Sequence, residues 1–146
     1  MQQFPIPQEI LDQVLTRATT IAVVGLSPKP ERPSNQVASY LLACGYTVIP
    51  VNPGQNEILG QACYPDLRSI PGPVDVVDIF RRADQVEPIV REAVEIGARV
   101  VWMQQGIVNE AAARIAREAG LTVIMDRCMK IEHHNMVSRG DGPAAV

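Results

Sequence analysis

The chain has 146 residues, a formal net charge of −3 and 47% hydrophobic residues, which predicts a single domain over residues 1–146 with a core of its own. The acidic balance argues against a nucleic-acid binder, because such proteins show a basic surface. The three cysteines are widely spaced, so we expect reduced thiols and no disulfide framework. The sequence shows neither a basic leader nor an apolar run of about eighteen residues, so we expect a cytoplasmic protein with no membrane partner.

Short apolar runs alternate with amphipathic segments along the chain. The first half predicts a helix over 8–18, a strand over 21–25, a helix over about 34–44 closed by Gly45, and a strand over 47–51 followed by a turn at 52–54. Residues 58–70 are expected to be mostly irregular, with a short strand and a turn of helix. The second half predicts strands over 74–80, 100–103 and 121–125, alternating with helices over 83–96 and 109–119. Repeated β-α units favour an α/β fold of three layers, with a mostly parallel sheet of about five strands and helices on both faces.

The loop after the first strand carries the most informative pattern. Ser34 or Asn35 is predicted to cap the free amides of the next helix. These amides and the helix dipole favour an anion, and Lys29 and Arg32 add positive charge. The run from Gly25 matches neither G-x-G-x-x-G nor G-x-x-x-x-G-K-[ST], which argues against ordinary NAD binding and Walker-type hydrolysis. The sequence therefore predicts a phosphate-binding loop for a nucleotide or a nucleotide-derived cofactor.

Ligands of open parallel sheets bind beyond the carboxyl ends of the strands. Four loops are expected to meet at that edge, namely 25–35, 51–55, 79–82 and 104–107. An apolar Phe80 beside the guanidiniums of Arg81 and Arg82 suits an adenine with nearby phosphates. Gln105 follows the fourth main strand directly and is a further candidate for ligand contact.

Seven segments, in order and at family-like spacing, resemble the coenzyme A-binding domain family, the small stand-alone proteins related to the nucleotide-binding domain of the succinyl-CoA synthetase α subunit. They are Val24–Ser27, Arg32–Val37, Tyr40–Leu41, Gly45–Pro53, Val76–Arg81, Trp102–Gly106 and Met125–Cys128. The resemblance covers most of the chain. It implies a Rossmann-like fold that binds coenzyme A (CoA) or an acyl-CoA at the carboxyl edge of the sheet.

The resemblance also implies roles for particular residues. The CoA phosphates would be held by Gly25, Ser27, Lys29, Arg32, Ser34 and Asn35. The nucleotide would be lined by Val51, Asn52 and Pro53, while Ile79, Phe80 and Arg81 would flank the adenine and the pantetheine. Relatives often carry a lysine after the second strand, where this chain has Gly54, Gln55 and Asn56. The missing charge has to come from Arg81 or Arg82, or the affinity is weaker.

No catalytic or metal-binding constellation is evident. Cys128, His133 and His134 lack the paired spacing of metal ligands, so we expect structural or surface roles for them. The resemblance places the phosphorylated histidine of the synthetases on a separate domain. Acyl-CoA ligation would therefore need a partner enzyme subunit, and a homo-oligomer is also open.

Two alternatives to CoA binding remain from the sequence. The first is a small Rossmann-fold enzyme or sensor that uses another nucleotide such as NAD(P), which would place a carboxylate at the end of the second strand. The chain has Val51, Asn52 and Pro53 there, without a carboxylate. The second is an interaction module whose nucleotide site is vestigial.

Overall fold

The computed structural model describes residues 5–140; residues 1–4 and 141–146, which the predicted domain 1–146 includes, lie outside the described residues. The helices are α1 (Gln8–Arg17), α2 (Pro33–Ala43), α3 (Val86–Glu95), α4 (Glu110–Glu118) and α5 (Met129–Ser138). The strands are β1 (Thr20–Val24), β2 (Thr47–Val51), β3 (Glu57–Ile58), β4 (Gln61–Ala62), β5 (Val76–Ile79), β6 (Val100–Met103) and β7 (Thr122–Ile124). A single 3-10 turn, Ala83–Gln85, leads into α3.

The five longer strands form one parallel sheet in the order β2-β1-β5-β6-β7. Val24 at the end of β1 pairs with Val51 on one side and with Ile79 on the other, so three strands end at the same level. The predicted α/β fold with a parallel sheet of five strands is confirmed.

Helices cover both faces of the sheet, which gives three layers. One face packs against α3 and α4, and its core includes Val77, Val90 and Val101. The other face packs against α1, α2 and α5 around the fully buried Trp102. The strands are buried on both faces, as their unbroken apolar runs predict for a parallel sheet.

The segment between β2 and β5 forms the outer edge of the sheet. Two-residue strands β3 and β4 pair in an antiparallel hairpin, in place of the turn of helix expected within 58–70. Tyr64 then lies along β2, where its N–H donates to the Pro50 carbonyl (3.0 Å) and its carbonyl accepts from the Asn52 N–H (2.9 Å). This contact covers the carboxyl end of the edge strand.

Two further features differ from the sequence prediction. Ser34 and Asn35 do not cap α2, because the helix begins at Pro33 with Arg32 at the N-cap position and no capping side chain. Proline is favoured at this first helical position, since its missing N–H would have no helical partner there. Helix α5 is absent from the sequence prediction, and it packs with α1 and α2 on one face of the sheet.

Among the helices of residues 5–140, none has the length and apolar character required to span a membrane.

Candidate functional site

The site is built around Gly25, where β1 ends. Its φ of 86° lies in the left-handed region, and its N–H donates to the Val51 carbonyl at 2.9 Å. A Cβ at this position would collide with the carbonyl oxygen of Phe80. Only glycine therefore allows the ends of β1, β2 and β5 to approach this closely.

The loop that follows is held by its own polar side chains. The Ser27 N–H donates to the Ser34 hydroxyl (3.0 Å), and the Asn35 side-chain amide donates to the Ser27 carbonyl (2.9 Å). From β2, the Asn52 side-chain amide donates to the Leu26 carbonyl at 3.0 Å. Ser34 and Asn35 are each only 4% exposed. These side chains fix the path of the loop and tie it to the first turn of α2.

The loop and the start of α2 border an open cleft of about 440 Å³ at the carboxyl ends of the strands. Its lining residues are Gly25, Ser27, Lys29, Arg32, Pro33, Ser34 and Phe80. Lys29 and Arg32 are exposed, and neither makes an ion pair with any residue between 5 and 140.

The cleft opens on the amino end of α2, whose first amides have no carbonyl partners within the helix. Free amides, a helix dipole and two unpaired cations together favour a multiply charged anion such as a phosphate group.

The end of β5 contributes one wall. Phe80 is half-buried and lines the cleft, and the Arg81 Nε lies 3.3 Å from where a Gly25 Cβ would stand. Ile79 is fully buried in the core, so only its main chain reaches this edge. Arg82 points elsewhere and pairs with Asp84 at 3.5 Å, with both side chains largely exposed.

The end of β2 lies on the other side of Gly25. Val51 is buried in the core and offers its carbonyl to Gly25. Asn52 is engaged at both ends of its amide, because its Oδ1 also accepts from the Gly54 N–H at 2.9 Å. Pro53 is exposed just beyond. Val51 and Asn52 therefore hold Gly25 and Leu26 in place through hydrogen bonds, but they are not among the residues that line the cleft.

The ends of β6 and β7 lie further along the same edge. Gln105 is exposed and does not line the cleft. The Gly106 N–H donates to the Asp126 carboxylate at 2.7 Å, which joins the loops after the two strands. The structure thus groups Gly25, Ser27, Lys29, Arg32, Ser34 and Phe80 in one cleft. The cleft is also lined by Pro33, which was not among the site residues predicted from the sequence.

A buried carboxyl group lies beneath this edge. Asp78 is fully buried in β5, where one oxygen accepts from the Gln104 side-chain amide and the other has no partner in the described residues. Burial raises the pKa of Asp78 to about 7, and the bond from Gln104 offsets only part of that rise. The Gln104 oxygen accepts from the Met129 N–H at 3.4 Å, so the carboxyl is linked to the start of α5.

The histidines and Cys128 lie on α5 and at its start. His133 is buried, and its Nδ1 is 2.8 Å from the Tyr40 hydroxyl of α2. Burial and the neighbouring His134 lower the pKa of His133. Within residues 5–140 no three His, Cys, Asp or Glu side chains are grouped as metal ligands would be. His133 therefore joins two helices, while His134 is exposed.

Comparison with known proteins agrees with this geometry. The family model described as "CoA binding domain" matches residues 19–134. The protein named "Uncharacterized protein YneT" of Bacillus subtilis is 45% identical over 123 residues, which is 84% of this chain and 91% of that protein. A solved structure of a hypothetical protein from Pyrococcus horikoshii OT3 superposes with a TM-score of 0.89 at 42% identity, covering 94% of this chain and 99% of that one.

A more distant match connects the chain to a large enzyme. It is 27% identical over 119 residues to acetate–CoA ligase [ADP-forming] I of Archaeoglobus fulgidus, covering 75% of this chain but only 17% of the ligase. The resemblance drawn from the seven sequence segments is thereby confirmed. With a family model that matches most of its length and a relative at 45% identity, the chain belongs to the CoA-binding domain family.

Proposed function

We propose that this protein binds coenzyme A, free or acylated, in the cleft between Gly25 and Phe80. The observation that carries the proposal is the pairing of two exposed, unpaired cations, Lys29 and Arg32, with the amino end of α2 in a chain of this family. CoA carries several phosphates and one adenine. The cleft offers cations and free amides for the phosphates and the ring of Phe80 for an apolar contact.

The residues present fit such a ligand in three respects. Neither cation is held in an ion pair by a carboxylate of residues 5–140, so both can contact a phosphate. The loop is already braced by Ser34, Asn35 and Asn52, so little ordering is required on binding. Arg81 lies beside Gly25 and is placed to supply the charge that relatives take from a lysine after the second strand.

Thermal unfolding with CoA, NAD and no ligand tests the proposal. A ligand at 100 times its dissociation constant stabilises a fold by roughly 2.7 kcal/mol, so CoA should raise the unfolding midpoint measurably. NAD at the same concentration should have a smaller effect, because the loop lacks the dinucleotide fingerprint. Equal or larger stabilisation by NAD would favour the nucleotide-enzyme alternative, and no response to either ligand would favour a vestigial site.

Two substitutions test the phosphate contacts directly. Lys29→Ala and Arg32→Ala, made separately, should each weaken CoA binding by roughly ten- to a hundredfold, since a charge-assisted contact contributes about 1.5 to 3 kcal/mol. Binding of pantetheine, which has no phosphate, should change little. Arg114→Ala on the exposed face of α4 is the matched control. Titration calorimetry that finds CoA affinity unchanged in both variants would contradict the assignment.

A further inference from the structure

A second groove lies at the amino ends of the strands, opposite the carboxyl ends that form the cleft. It runs between α1 and the amino ends of β5, β6 and β7 and has a volume of about 210 Å³. Strands β5 and β6 lead from this groove to the edge that carries the cleft, so the two sites lie a strand's length apart.

The groove is lined by five apolar and five polar or charged residues. Ile10 and Val14 of α1 face Val76 and Val100 at the strand starts. Val76 and Val100 are core residues, and Ile10 and Val14 are partly buried. Water makes few hydrogen bonds to the apolar lining residues, so an apolar group that displaces water there is stabilised by its burial.

Two arginines also line the groove, Arg17 at the end of α1 and Arg99 just before β6. Arg17 makes no ion pair within residues 5–140. Asp75 is the acidic residue among the lining groups. Two cations and one carboxylate leave the groove with an excess of one positive charge.

The Asp75 carboxylate is occupied by the main chain. Its Oδ2 accepts from the Thr19 N–H (2.9 Å), the Thr20 N–H (3.0 Å) and the Thr19 hydroxyl (2.8 Å). Partial burial opposes ionisation, but these bonds and the charge of Arg99 outweigh it and hold the pKa of Asp75 below its usual value. Asp75 therefore remains ionised without neutralising Arg17.

We propose that this groove binds a monocarboxylate with a short apolar chain. Arg17 and Arg99 hold the carboxylate, because a guanidinium presents paired N–H donors that match its two oxygens. The chain lies against Ile10 and Val14 of α1, whose side chains are partly exposed in the groove. A volume of about 210 Å³ is below the roughly 300–1,000 Å³ of typical ligand pockets, so a small ligand such as a six-carbon acid suits the groove.

Chemical-shift mapping with three probes, in the absence of CoA, tests the site. Hexanoate should shift the amides of Ala18, Asp75 and Val100 in a saturable manner. Hexanamide, which keeps the chain but loses the charge, should bind at least about tenfold more weakly. Inorganic phosphate, which has the charge but no chain, should also bind more weakly than hexanoate. Equal binding of hexanamide or phosphate, or hexanoate shifts confined to the loop 25–35, would overturn the proposal.

Charge-removing substitutions give an independent check. Arg17→Gln and Arg99→Gln should each weaken hexanoate binding by about tenfold, while Arg114→Gln, the same change on α4, should leave it within about twofold. An unfolding scan of each variant verifies the fold. Unchanged hexanoate affinity in Arg17→Gln would overturn the proposal even if Arg99→Gln is unstable.

The two proposals can be contradicted independently of each other. CoA affinity is expected to stay at the wild-type value in Arg17→Gln, because that residue is remote from the cleft. Hexanoate binding in a protein that ignores CoA would contradict the proposed function alone. CoA binding in a protein that ignores hexanoate would contradict the groove alone.

Discussion

Gly25 brings together two requirements that no other residue type meets at this position. Its backbone is left-handed, and the space where a Cβ would stand is taken by the Phe80 carbonyl. The other left-handed glycines of the described chain share only the first requirement: Gly97, for example, has a φ of 77° and nothing within 4 Å of its Cβ position. Comparing Gly25 with Gly97 therefore separates the cost of the left-handed backbone from the cost of the steric clash.

Gly25→Ala should therefore destabilise the fold by about 2 to 5 kcal/mol, because a left-handed alanine and a displaced strand end both add to the cost. Gly97→Ala is the matched control and should cost only about 1 to 2 kcal/mol, for the conformation alone. Chemical denaturation of both variants measures the two values. Equal losses would show that β5 moves away from Gly25 at no cost.

The placement of Ser34 and Asn35 shows what the sequence reveals at the scale of one residue. Their types suggested caps, but Pro33 already marks the start of the helix, and the two side chains turn back to hold Ser27. The residues were assigned to the correct region with the wrong structural role. The proline carried the signal that separates the two interpretations.

Helix α5 is the element that pattern reading missed. Its buried positions are Met129, His133 and Met136, spaced four and three residues apart as on a helix face. The middle position is a histidine, so the apolar stripe is interrupted in the sequence. The Tyr40 hydroxyl of α2 makes that burial possible by bonding to the imidazole. This partner is far away in sequence, which is why the pattern alone did not indicate the helix.

Tyr40→Phe tests the bond that joins α2 to α5. The ring and its packing are kept, but the buried Nδ1 of His133 loses the Tyr40 hydroxyl and keeps only the weaker contact with the Cys44 Sγ at 3.8 Å. We expect a loss of about 1 to 3 kcal/mol in the free energy of unfolding. Tyr64→Phe is the control, since the Tyr64 hydroxyl makes no hydrogen bond within the described residues. Urea unfolding should show little change there. A neutral Tyr40→Phe would mean that water replaces the hydroxyl.

At the scale of the whole molecule, the alternation of strands and helices up to β7 was predictable, because those elements have clear periods and are joined mostly by short loops. The order of the strands was not predictable, because β5 pairs with β1 although α2, β2 and residues 52–75 lie between them in sequence, and no local pattern encodes that choice. The same holds for the cleft. The loop 25–35 was found from its own residues, whereas the exclusion of the Val51 and Ile79 side chains depends on how three strands pack.

The stability of the molecule should depend on pH through two buried groups with opposite signs. Asp78 has a folded pKa of about 7, above its unfolded value of about 3.9, so the folded state keeps a proton that the unfolded state releases. Its contribution therefore becomes less favourable as pH rises from about 4 to 7. His133 has a lowered pKa in the folded state, so its contribution is lost as pH falls below its unfolded value of about 6.5.

Asp78→Asn isolates the first contribution. The variant should gain stability relative to the wild type between pH 5 and pH 8, because the buried amide carries no charge at either pH. Denaturation at both pH values gives the difference, and Asp84→Asn, an exposed carboxylate, should show no such trend. A constant difference between Asp78→Asn and wild type would mean that the Asp78 carboxyl titrates normally in the folded protein.

The edge of the sheet at β2 limits how copies of this protein can meet. Pro50 has no N–H to offer an added strand, and its carbonyl is already taken by Tyr64. At the far edge, β7 is only three residues long. Lengthening the sheet from one molecule to the next by adding a strand is therefore disfavoured at either side.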